Sequence, residues 1–183
     1  DVQAVDIYSM ERIFTGINEI DRIIGGFYFG QVILLTGKRG EGKSTFMSQL
    51  IVEALEQGYK TFAYSGELTD YHFKRWLDFQ AAGPDNIVSN KDQFGEETYL
   101  LTNEVIDKLN SWYRGKAYLY DNSAVIESEE LESLLVTIEK AVCRYGIRFV
   151  CIDNLMTALD VDMRDDLYRA QSKFLRELKL LAD

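Results

Sequence analysis

Nine residues, Gly37-Lys38-Arg39-Gly40-Glu41-Gly42-Lys43-Ser44-Thr45, follow the apolar run Ile33-Leu34-Leu35 and suit one task, the holding of a chain of phosphates. Their pattern is G-x-x-x-x-G-K-[ST], in which backbone N–H groups wrap the phosphates of a nucleotide. The glycines allow the backbone angles and the close approach, Lys43 reaches the outer phosphates, and the Ser44 hydroxyl ligates Mg²⁺. A helix predicted to start at Lys43 adds its positive N-terminal end. Lys38 and Arg39 either touch phosphate or are simply solvated. The expected ligands are ATP and Mg²⁺, with the whole loop Gly37 to Thr45 as their binding segment.

Two carboxylates extend this chemistry. Asp153 ends the apolar strand predicted over 148–152, and an acid so placed holds Mg²⁺ opposite a loop Ser hydroxyl. Its plainer role is to cap a turn. Glu67 follows the strand predicted over 60–65, where a carboxylate can orient and polarise a water attacking the γ-phosphate. Its plainer role is that of a first-turn acid at a helix start. Glu67 and Lys43 are therefore the catalytic candidates, and Ser44 and Asp153 the metal candidates.

The elements that must position these groups alternate in type. The pattern predicts strands over 31–36, 60–65, 116–120 and 148–153. Helices are expected over about 43–57, stopped by Gly58, and over about 69–82, stopped by Gly83-Pro84. A less regular helical region should follow to Asn110. A helix over 128–145 carries Ser128 at its cap and Leu131, Leu134, Leu135, Ile138 and Val142 on its apolar stripe. A last helix starts near Arg164. Thr15 and Asn18 can cap a short helix that breaks at Gly25-Gly26. Strands joined by helical crossovers predict an α/β fold with a parallel sheet and helices on both faces. Open sheets of this kind bind ligands at the carboxyl ends of their strands, where all the candidate residues fall.

Composition bounds the rest. A chain of 183 residues with 46% apolar content supports one α/β domain with a full core. It carries no long apolar run and no apolar leader, which predicts neither membrane insertion nor secretion. The chain begins at Asp1 and stops at Asp183 inside a predicted helix, as a segment of a longer polypeptide does. Residues 1–14 read as a linker or arm and 15–183 as the core. Cys143 and Cys151 lack metal-type spacing and are expected to be core thiols in a reducing cytoplasm. His72 reads as a surface residue, and Trp76 with Phe79 as core or interface packing. The net charge of −10 argues against a self-sufficient nucleic-acid surface on this segment.

These blocks together resemble the ATPase core of DnaB-like hexameric replicative helicases, a RecA-like group that includes phage primase-helicases. The likeness runs from Thr15-Gly16-Ile17 through Asp21, Gly25-Gly26 and Gly30 into GKRGEGKST. It resumes at YSGELT, at 116–121 and at FVCIDNLM. Recombinases and clock-type ATPases share the TG-x-x-x-[LI]D block and the phosphate loop. The resemblance implies a RecA-like P-loop fold, Glu67 as the catalytic glutamate, Asp153 as the Mg²⁺-associated acid, and assembly as a homo-hexamer. It also implies DNA contact and a trans-acting arginine from regions outside these residues. Finally, it implies a sensor strand lying between the strands that end at Gly37 and Asp153. That strand would follow the last helix, so either a gap in the sheet centre or a borrowed strand is expected here.

Overall fold

The computed structural model describes residues 9–121, 134–159 and 167–183. The first elements form a small bracket. Strand β1 (Arg12–Ile13) pairs antiparallel with β2 (Phe27–Tyr28), and helix α1 (Asn18–Ile24) lies between them in sequence. Arg12 ties the bracket by donating to the Gly25 carbonyl at 3.0 Å and the Tyr28 hydroxyl at 2.9 Å. Ile13 is buried, so the end of the expected arm belongs to the packed domain. Neither Thr15 nor Asn18 caps α1. The Thr15 hydroxyl accepts from the Ile17 N–H, and the Thr15 N–H donates to Asp21. Gly25 ends the helix at φ 75°, a left-handed angle that glycine adopts without penalty.

Helix α2 (Lys43–Glu56) directs Leu50, Ile51, Val52, Ala54 and Leu55 inward. Strand β3 (Thr61–Ser65) follows, buried along its whole length, as a strand covered on both faces must be. Helix α3 (Asp70–Ala82) comes next and matches the expected span almost residue for residue.

Instead of continued helix, strands β4 (Val88–Lys91) and β5 (Glu97–Leu100) then form an exposed antiparallel hairpin. Asp92 explains the difference. Its carboxylate accepts from the N–H groups of Phe94 and Glu96, folding a turn that competes with helix. Helix α4 (Asn103–Tyr113) is capped by the Thr102 hydroxyl and leads to β6 (Ala117–Leu119). Helix α5 (Leu134–Tyr145) follows among the described residues; the expected cap Ser128 and stripe residue Leu131 lie outside them. Strand β7 (Phe149–Asp153), a single turn α6 (Leu155–Ala158) and helix α7 (Leu167–Ala182) complete the chain, the expected start of α7 near Arg164 lying outside the described residues.

The sheet runs β6–β3–β7, all parallel, with Ala63 opposite both Leu119 and Cys151. Period-two alternation divides it between two cores. On one face Ala63 and Cys151 pack with Ile51, Leu55, Phe73 and Leu77 of α2 and α3. On the other, Phe62 and Tyr64 pack with Leu134 and Ile138 of α5 and Phe174 of α7. This is the expected α/β architecture of a parallel sheet with helices on both faces.

The expected strand over 31–36 is not realised. Among the described residues none of Val32 to Thr36 makes a backbone hydrogen bond, and Val32, Ile33, Leu34 and Leu35 are 40–63% exposed. An apolar run becomes a strand only when a neighbour completes its ladder, and no described strand pairs with this one. Among the described residues strand β7 likewise pairs on one side only.

Candidate functional site

The phosphate-type loop joins the unpaired segment to α2. Gly40 and Gly42 both sit at φ 82°, a conformation that side chains with a Cβ rarely adopt. Gly42 occupies the N-cap of α2, so the first N–H groups of the helix open toward the loop. Lys43 folds back over it, donating to the carbonyls of Gly37 at 3.0 Å and Lys38 at 2.8 Å. The Glu41 carboxylate accepts from the Lys38 N–H at 2.7 Å and also lies 3.1 Å from where a Cβ on Gly37 would stand. An acidic oxygen thus already rests on one of the loop's own backbone donors. Lys38 and Arg39 are exposed, and Thr45 is half-buried in the first turn of α2.

One residue into α2, the Ser44 hydroxyl donates to Asp153 Oδ2 at 2.8 Å across 109 positions of sequence. Asp153 is only 6% exposed, at the carboxyl end of β7. Strand register brings Ser65 opposite Asp153, and the Gly66 N–H then donates to the Asp153 carbonyl at 2.6 Å. Ser44 and Asp153 together offer a hydroxyl and a carboxylate, hard oxygen donors of the kind Mg²⁺ takes alongside substrate phosphates and water. Among the described residues no cluster of three or more His, Cys, Asp or Glu is arranged to hold a metal ion unaided. The donor set therefore fits an ion that arrives with a nucleotide.

Glu67 stands just beyond β3, exposed. Asn154, the residue after Asp153, donates from Nδ2 to Glu67 Oε1 at 2.5 Å. Asn154 also caps α6. Its Oδ1 accepts from the Thr157 N–H at 3.1 Å, and its own N–H donates to Thr157 Oγ1 at 3.3 Å. Thr157 is pressed against Gly66 so closely that a Cβ on Gly66 would lie 2.0 Å from Thr157 Oγ1. Only glycine fits there.

Asn154 is the site residue that reading the sequence for chemistry passed over. Its signal was present as N-x-x-T at 154–157, a capping pattern next to the metal-type acid. The thiols need one correction. Cys151 is buried, with burial first and the Asp153 carboxylate second pushing its thiol up to about 12. Cys143 is exposed and is not a core thiol, because it falls off the inward stripe formed by Leu134, Ile138 and Ala141. His72 is exposed as expected; of the pair expected in core or interface packing, Trp76 is 43% exposed and so outside the core, and Phe79 is half-buried.

The family model described as "ATPase: KaiC" matches residues 13–181, almost the whole chain. The chain belongs to the KaiC ATPase family. Its fold is accordingly that of a KaiC-type, RecA-like ATPase domain, with the phosphate loop, Ser44 and Asp153 lying inside the matched span. It is 27% identical over 180 residues to the circadian clock oscillator protein KaiC of Rippkaea orientalis, covering 94% of this chain and 30% of that one. Against KaiC 1 of Synechocystis the identity is also 27%, over 85% of this chain and 26% of the relative. The DNA repair protein RadA of Brucella abortus is 38% identical over 63 residues, 34% of this chain and 14% of RadA. The KaiC-type domain described here thus spans less than a third of these KaiC relatives. No helix among its described residues is long and apolar enough to cross a membrane.

Proposed function

We propose that this domain binds ATP in the loop Gly37 to Thr45 and hydrolyses it. In this reading Lys43 exchanges its two carbonyl partners for the β- and γ-phosphates. Ser44 and Asp153 hold Mg²⁺, and Glu67 orients the attacking water. The metal supplies neutralisation of charge on the phosphate oxygens. The observation carrying the proposal is the 2.8 Å contact between Ser44 and Asp153, which joins two distant sequence motifs into one hard-oxygen site.

Asp153→Asn in the full-length protein tests it, since the amide keeps the shape and can still accept from Ser44. ATP affinity in Mg²⁺ should fall toward the metal-free value. Lys43→Ala should weaken nucleotide binding whether or not metal is present, by about 10–10²-fold for a lost hydrogen bond to a charged group. Parental ATP turnover with unchanged Mg²⁺ dependence in both variants would overturn the assignment.

Three outputs fit this chemistry. The blocks around Glu67 and Asp153 support a DNA helicase motor working as a homo-hexameric ring, with DNA held by regions outside these residues. Similarity to KaiC over nearly the whole chain, and to RadA over a third, supports a signalling or recombination ATPase equally. DNA-stimulated turnover with strand separation by the full-length protein selects the motor. Turnover indifferent to DNA selects the signalling ATPase, and stimulation without strand separation the recombination one.

A further inference from the structure

We infer that Asn154 is a positioning residue that aims the Glu67 carboxylate, a role that rests on the reading of Glu67 as the water-orienting group. The argument begins with the two ends of one amide. Asn154 Oδ1 is committed to the Thr157 N–H as the cap of α6, so its NH₂ must point the opposite way. There it meets Glu67 Oε1. A flipped amide would set NH₂ against the Thr157 N–H and oxygen against the carboxylate, and both contacts would repel. The helix cap therefore decides which end of Asn154 faces Glu67.

The platform beneath this contact is fixed from several sides. The Tyr64 hydroxyl donates to the Thr157 carbonyl at 2.8 Å, Gly66 lies against the Thr157 side chain, and the Gly66 N–H is bonded to the Asp153 carbonyl. Glu67 itself is exposed, and among the described residues Asn154 is the one recorded hydrogen-bond partner of its carboxylate. Without Asn154 a long, solvated side chain would sample many rotamers. With it, Oε1 is anchored and Oε2 is left to accept from water. An uncharged donor suits the task, because a Lys or Arg in its place would form an ion pair and weaken the carboxylate as a base.

The test separates capping from aiming. Asp and Ser cap a helix about as well as Asn. Asn154→Asp sets a carboxylate against Glu67, whereas Asn154→Ser removes the donor without adding charge near Asp153. In the full-length protein both should melt within a degree or two of the parent and keep KM for ATP within about threefold. The kcat of each should fall about 10–10²-fold, the worth of one hydrogen bond to a charged group. In a Glu67→Gln background either substitution should cost less than about twofold more, since residues acting through one another are not additive. Parental kcat in Asn154→Ser beside a slow Glu67→Gln would overturn the aiming role and leave the Glu67 reading standing. So would an equal loss from Asn154→Ser in both backgrounds. Parental kcat in Glu67→Gln would overturn the Glu67 reading, and the aiming role with it.

Discussion

Glu67→Gln in the full-length protein is expected to bind ATP with parental affinity and to turn it over about 10²–10⁴-fold more slowly, the usual loss when one general base is removed. The amide is nearly the same size and can still accept from Asn154 through its oxygen, so the strand end should keep its shape. It cannot take up a proton from water. Single-turnover hydrolysis beside a nucleotide-binding measurement separates the two effects. If Gln at this position turned over ATP at the parental rate, Glu67 would be only an acid near a helix start.

The second large effect concerns the support of the loop. Ile51 is 1% exposed on the inward face of α2, the helix that begins at Lys43. Ile51→Ala should destabilise the domain by about 2–5 kcal/mol, through lost apolar transfer and the cavity left behind. For a domain of this size that lowers the melting temperature by roughly 4–20 °C. Ile33→Ala is the matched control, because Ile33 is 50% exposed on the unpaired segment. Its cost should stay near the 0.5 kcal/mol typical of surface positions. Equal melting shifts for the two variants would mean that the 31–36 segment is packed after all.

The elements legible from the amino-acid pattern were those whose signals are local and mutually consistent. Helix α2 runs from the loop lysine to a glycine stop, and β7 reads as a near-continuous apolar run because helices cover both its faces. Two elements misled for opposite reasons. Residues 31–36 have the composition of a buried strand, but strand structure belongs to a pair and the partner is not among the described residues. Residues 88–100 lack apolar alternation, yet a single aspartate, Asp92, turns them into a hairpin. Within the site, Ser44 and Asp153 were legible as motif members, while their contact required the fold to bring positions 109 residues apart together. Asn154 was hidden by its ordinariness, since an Asn after a strand reads as a turn or cap until its second hydrogen bond is seen.

The two ends of the phosphate-type loop are held very differently. Downstream it is welded to α2 and the sheet through Ile51, Leu55 and the Ser44–Asp153 contact, and upstream it leads from Val32 to Thr36, whose backbone groups find no backbone partner among the described residues. A nucleotide closing on this loop must fix the loose end as well as make its own contacts. Apparent affinity is then the intrinsic affinity multiplied by the fraction of time that end is already in place. A strand that completes the ladder beside 31–36 would raise that fraction without touching the ligand. By reciprocity, bound nucleotide would tighten the pairing of that strand by the same factor. Strand pairing beside 31–36 and nucleotide binding in the loop would then be coupled in both directions.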